Sequence, residues 1–208
     1  MLPTQTRDAE ATQAQIVAAA AEIFAEKGFA DTSVSEIAVA AGVTKSLIHH
    51  HFGSKQGLWD AIKERHFFEY FQAQSVMLDR PPGVELLRDS VEEYFRFLQR
   101  KPAFVRLIGW MQLEETGDGR FELGEKLTRA AVEKLRAAQD EGKLRPDVHP
   151  YSILISFLGL VEHWFQGNKS HCRGLADEDA VTDDEQYLED LMKIFFEGVV
   201  PRAETPND

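Results

Sequence analysis

Apolar residues recur along almost the whole chain at helical spacing, and nowhere in the strict alternation of a half-buried strand. The clearest stretch is Ser33–Lys55. Val34, Ile37, Ala38 and Ala41 fall at i, i+3, i+4 and i+7, a single stripe, and Ser33 with Glu36 has the spacing of a capping box. A short helix therefore starts after Ser33 and stops near Gly42, whose backbone freedom suits a helix end. Thr44 can cap a second short helix whose Ile48 and Phe52, four apart, face one core. At about 100° per residue, Thr44, Ile48 and Phe52 share that face and Lys45 and His51 flank it, whereas Ser46, Leu47, His49 and His50 point away. In front of this pair, Ile16, Ala20, Ile23 and Phe24 predict a helix over about 12–27, ended by Gly28, with residues 1–11 read as a disordered arm.

Behind it, Ser54 can cap a long helix through Leu58, Ile62, Phe67, Phe71 and Leu78, broken by Pro81-Pro82-Gly83. Further helices are predicted over about 83–100, from Pro102 to about 116, and over about 121–141. Pro150 then pre-sets one to about 165, and a last helix covers about 184–200. The fold class is all-α, about nine helices: an N-terminal three-helix module over 1–55, a larger C-terminal helical domain over 56–200, and a tail, 201–208. The change of role falls inside the long helix, around 55–75, rather than in a flexible linker. The segment YSILISFLGLVEHWF is apolar nearly all round, so its own domain should cover one side and a second subunit the other. Ser152, Ser156 and Gly159 give it a small-residue strip, and with Leu188, Leu191 and Phe195 of the last helix they read as half of a four-helix dimer interface. A purely intramolecular pair is the alternative.

Two helices crossing over a glycine-containing turn, the second with a short polar outer face, form the helix-turn-helix plan for entering the DNA major groove. No acidic residue lies between Thr44 and Asp60. The formal net charge of −12 argues against nucleic acid until its distribution is considered. Residues 1–66 hold six basic against eight acidic residues, and 67–208 hold 17 against 27. Within 42–66 the balance reverses, Lys45, Lys55, Lys63 and Arg65 outnumbering Asp60 and Glu64. Such a modest footprint predicts few phosphate contacts per subunit. The candidate contacts are Ser33, Ser35, Thr44, Lys45, Ser46, Leu47, His49, His50 and Lys55, the last beside the free N–H groups of the long helix's first turn. Histidines held against phosphate would make operator binding tighten as pH falls through about 6.5.

The ordered set Gly28-Phe29, Thr32-Ser33, Ile37-Ala38, Ala41-Gly42-Val43, His49, His51, Phe52, Ser54-Lys55 and Leu58 resembles the DNA-binding region of the TetR family of transcriptional regulators over roughly 12–60. Ser46 departs from the usual Gly or Pro, and His49 and His51 from the commoner Tyr. The resemblance implies a ligand-responsive homodimer, most simply a repressor, on a palindromic double-stranded DNA operator, with a buried small-molecule effector cavity in the second domain. Phe67, Phe71, Phe95, Trp110, Met111 and Phe157 are the large apolar or aromatic candidates to line it, and Glu114 and His163 the polar ones. An aromatic stripe at helical spacing is also ordinary core. An apolar or aromatic effector, uncharged or weakly cationic, suits these residues.

Other chemistry finds little support. Adjacent helical positions diverge by about 100°, so His49, His50 and His51 cannot converge on one ion, and no metal or other cofactor is expected. The acidic run after Asp177 has Thr182 and Leu188 where a calcium loop needs Gly and Glu. The lone Cys172 excludes an internal disulfide and reads as a bystander thiol. No apolar run is long enough to span a membrane and no export signal is evident, so the cytoplasm is the expected location. No catalytic constellation appears, so an enzyme is not expected. The alternatives are an activator, a regulator without ligand, or a helical ligand-binding or enzymatic dimer that does not bind DNA.

Overall fold

In the computed structural model, residues 4–113, 122–171 and 183–200 are described. They form nine helices and no strand: α1 Thr4–Lys27, α2 Val34–Ala40, α3 Lys45–Phe52, α4 Lys55–Leu78, α5 Val84–Arg100, α6 Pro102–Leu113, α7 Glu122–Asp140, α8 Pro150–His171 and α9 Asp184–Val199. The all-α expectation holds, with two boundary corrections. Helix α1 begins eight residues earlier than predicted, because Ala9, Glu10, Ala11, Gln13 and Ala14 are strong helix formers with no breaker among them. Helix α8 runs past Phe165 to His171, with Gly167 accommodated beneath the His163 ring, which a Cβ at 167 would meet at 2.9 Å.

Two compact units are present. The first contains residues 1–69 and 101–121, the second 70–100 and 122–208. The expected boundary at 55 differs from this division in both directions: α4 contributes to each unit, and α6 belongs with the first. In the first unit Ile16, Ala20 and Phe24 of α1, Ile37 of α2, Ile48 of α3, Leu58, Trp59 and Ile62 of α4 and Leu107 of α6 are almost completely buried. Phe24, Phe29 and Trp59 pack ring to ring, with centroids 4.9–6.0 Å apart. The second unit buries Val91, Phe95 and Leu98 of α5, Leu135 of α7, Ile153, Phe157 and Val161 of α8, and Leu188, Leu191 and Phe195 of α9. Trp164 of α8 stacks on Tyr187 of α9 at 4.0 Å, its indole N–H donates to Asp184, and the Tyr187 hydroxyl donates to the Leu160 carbonyl.

That burial corrects the α9 half of the expected dimer surface. Leu188, Leu191 and Phe195 are 3–6% exposed because they pack inside the chain, and the large apolar residue α9 leaves outside is Ile194, 71% exposed. On α8, by contrast, Ser152, Ser156 and Gly159 are exposed together with Tyr151, Ile155 and Leu160.

Candidate nucleic-acid interface

Helix α2 starts with a complete capping box. The Glu36 N–H donates to Ser33 Oγ at 3.2 Å, and the Ser33 N–H donates to Glu36 Oε2 at 2.9 Å. Lys27, in the last turn of α1, donates to Glu36 Oε1 at 2.8 Å, so one carboxylate joins α1 to the start of α2. The Lys27 hydrogen bond first, then those from Ser33, hold the Glu36 carboxyl at a pKa of about 2. Helix α3 starts at Thr44, whose Oγ1 accepts the Leu47 N–H at 3.3 Å.

Helix α1 braces both. Gln15 donates to the Ala41 carbonyl at the end of α2 (2.9 Å), and Gln13 Nε2 lies 3.3 Å from His51 Nδ1 on α3. The buried Thr32 hydroxyl donates to the Gly28 carbonyl at 2.7 Å, closing the turn between α1 and α2. Gly28 itself sits at φ +76°, and a Cβ there would stand 2.9 Å from the Trp110 ring. Gln13, Gln15 and Thr32 were not legible as positioning residues, because polar side chains in a helix or turn carry no periodic signal.

The outer face of α3 emerges as expected. Lys45, Ser46, His49 and His50 are exposed, Leu47 is half-buried, and Ile48 is fully buried beneath them. Thr44, Ser33 and Ser35 are also exposed. The three histidines have different surroundings. His49 Nδ1 is 3.0 Å from the Gly53 carbonyl, which can only accept, so Nδ1 carries a proton. His51 Nδ1 accepts from the Gln13 amide, and the His50 ring meets that of His51 edge-on at 5.3 Å.

Lys55 requires a correction. Its ammonium donates to the carbonyls of Phe29 at 2.8 Å, Thr32 at 2.9 Å and Ala30 at 3.4 Å, and lies 4.3 Å from the Phe29 ring centroid. An ammonium has three N–H donors, and the turn between α1 and α2 takes all three. Lys55 therefore anchors the module instead of offering its charge to a phosphate.

Residues 16–62 match the profile of bacterial regulatory proteins of the tetR family, and residues 87–189 match the tetracyclin repressor-like C-terminal domain. The transcriptional repressor SCO4008 of Streptomyces coelicolor is 30% identical over 163 residues, covering 76% of this chain and 80% of its own. The chain belongs to the TetR family. The repressor NicS of Pseudomonas putida KT2440 is 26% identical over 202 residues, 90% of this chain and 93% of that one. Among solved structures, AibR in complex with isovaleryl coenzyme A and operator DNA shares 25% identity and a TM-score of 0.69, covering 88% of this chain and 97% of AibR. TetR-family proteins are DNA-binding transcriptional regulators, and so this chain is a regulator and not an enzyme.

The residues expected to line an effector cavity fall in both units of this TetR-family chain. In the first, Phe67 packs edge-on against Phe104 at 5.6 Å, Met111 is half-buried, and Trp110 donates its indole N–H to the Ala25 carbonyl at 3.3 Å. Trp110 thereby secures the end of α1. In the second, Phe71 is half-buried, whereas Phe95 is fully buried with its ring 4.8 Å from Phe165. Phe157 is buried between Tyr94 and Phe195. His163 is exposed over Gly167, which does not suit a polar contact inside a cavity. Glu114 and Cys172 lie outside the described residues.

Proposed function

We propose that this regulator is a ligand-responsive homodimeric repressor that binds a palindromic operator and is released by a small-molecule effector. The observation that carries the reading is the α3 face, which is polar, free of acid and exposed, and is rigidly backed by Ile48 and by the links from α1. Lys45 and Ser46, in the first turn of α3, are assigned to base edges, and Leu47 to a thymine methyl. Ser33, Ser35, Thr44, His49 and His50 are assigned to backbone contacts, and Lys55 is withdrawn from that set. A regulator of this kind works where the chromosome is, in the cytoplasm.

The dimer reading rests on α8. Tyr151, Ile155 and Leu160 are 38–51% exposed around the Ser152, Ser156 and Gly159 strip, and a second copy would cover them. Two copies would place paired α3 helices in successive major grooves about 34–36 Å apart. The repressor assignment follows from NicS and SCO4008, both transcriptional repressors, and the complex of AibR with isovaleryl coenzyme A motivates an effector here. Selection of bound duplexes from a random pool, with sedimentation of the protein, tests the reading. The expected result is an inverted repeat with half-sites one helical turn apart bound by a dimer. A direct repeat, a single half-site or no enrichment at low salt would refute it.

A further inference from the structure

Where α4 meets the start of α6, a histidine ring is held without a polar partner for its buried nitrogen. His66 of α4 stacks on Phe104 of α6 at 5.0 Å, and Phe67 meets the same Phe104 ring edge-on at 5.6 Å. The His66 Nδ1 is buried and has no hydrogen-bond partner among the described residues. Arg65 and Glu69 face this ring from α4, Lys101 from the residue before α6, and Glu22 from α1. Both acids already meet cations: Glu69 accepts from Lys101 at 2.6 Å, and Glu22 lies 4.0 Å from Arg106. Burial is the largest influence on the ring and lowers its pKa; Glu69 opposes it, and Lys101 and Arg65 add to it. Six residues further along α6, a rise of about 9 Å, Trp110 donates its indole N–H to the Ala25 carbonyl and its ring covers Gly28. Gly28 opens the turn that Thr32 and Lys55 hold in front of α2. All of these residues belong to the first compact unit.

We infer that His66 is an acid-sensitive latch: neutral, it seats α6 against α4 with the DNA-reading module aligned, and protonated, it releases α6 and weakens operator binding. The latch rests on the α3 reading above and adds a regulation to it. Whichever nitrogen takes the second proton, both then carry N–H, and the one on Nδ1 meets no acceptor among the described residues. The imidazolium loses hydration without gaining a partner, and Lys101 and Arg65 repel it. Attraction to the face of Phe104 returns only part of that loss. Turning the ring out to water relieves the charge but gives up the contact on Phe104, and α6 then draws Trp110 off Gly28. A proton and an operator thus favour different positions of α6. Linkage is reciprocal, so operator binding must lower the proton affinity of His66.

The test uses the full chain and a duplex recovered from the random pool at pH 7.5. Operator affinity is measured at constant ionic strength from pH 7.5 to pH 5.5, with circular dichroism confirming the fold at each pH. The imidazole signals of His66, assigned by their loss in His66→Phe, are titrated by NMR with and without the duplex. His66→Phe keeps a ring against Phe104 and takes up no proton. Titration of the α3 histidines is common to both proteins, so the difference between their affinity curves isolates His66. The wild type should lose at least about fivefold more affinity than His66→Phe over this range, the low end of coupling between two sites. Its His66 should titrate at lower pH in the complex than in the free protein. Lys101→Met, which removes a cation and frees Glu69, should move both the titration and the loss of affinity to higher pH, a shift that a purely structural role would not produce. Equal affinity curves for wild type and His66→Phe, or one His66 titration with and without the duplex, overturns the latch and leaves the α3 reading standing. No duplex bound at pH 7.5 and low salt refutes the α3 reading and the latch with it.

Discussion

Lys55 and Phe29, 26 residues apart, meet twice: the Lys55 ammonium donates to the Phe29 carbonyl at 2.8 Å and lies 4.3 Å from the centre of its ring. The first residue of α4 is thereby fastened to the turn that orients α2. A lysine that looks like a phosphate ligand in the sequence closes the DNA-reading module from behind.

Lys55→Met should therefore destabilise the protein by about 1.5–3 kcal/mol, the range for hydrogen bonds to a charged group, in urea unfolding. Its DNA affinity should fall while the slope of log affinity against log salt stays unchanged. Lys45→Ala should leave stability alone and weaken operator binding by about 1–3 kcal/mol, with relaxed preference at one base position of the half-site. A slope reduced by about one in Lys55→Met would return Lys55 to the phosphate contacts.

Gly28→Ala combines a left-handed backbone, φ +76°, with a methyl 2.9 Å from the Trp110 ring. The backbone term is about 1 kcal/mol and the overpacking term about 1–3 kcal/mol. Pairing it with Trp110→Leu should recover part of the loss, as a double-mutant cycle in urea would measure. Strict additivity would show that the ring does not press on this position.

His66 supplies a pH dependence of stability. Its ring is stacked 5.0 Å from Phe104, and its buried Nδ1 has no hydrogen-bond partner among the described residues. Burial first lowers its pKa, Lys101 and Arg65 act in the same direction, and Glu69 and Glu22 oppose them. With the folded pKa below the unfolded one, the unfolded chain takes up the proton more readily. This group's contribution to stability is full above about pH 6.5 and is lost as pH falls from there through the folded value. His66→Phe should flatten the melting temperature between pH 7 and pH 5 relative to the wild type. The same slope in both proteins would assign the dependence to other groups.

For the α8 surface, Ile155→Glu places a charge on a residue that is 51% exposed, whereas Leu191→Glu places one on a residue that is 3% exposed. The first should yield a folded monomer in sedimentation equilibrium with DNA affinity reduced at least about tenfold. The second should unfold the chain, because a buried unpaired charge costs several kcal/mol. A dimeric Ile155→Glu protein would move the interface away from this face.

The sequence alone determined the class and order of the elements and the location of the helix-turn-helix module. Those features rest on local physics: the 3.6-residue period of apolar positions, the Ser33–Glu36 box, the Thr44 cap and the glycines that end helices act over a few residues and leave a pattern in the chain. Tertiary structure decided which side each long polar or aromatic residue serves. Lys55 has the same flanking sequence whether it meets a phosphate or three carbonyls, and only the return of residues 29–32 to the start of α4 fixes the answer. Trp110 packs on Gly28, and Leu188, Leu191 and Phe195 turn inward, because contacts between residues far apart in the chain use up these surfaces. Periodicity identifies an apolar face without saying whether that face meets its own chain, a ligand or a second copy.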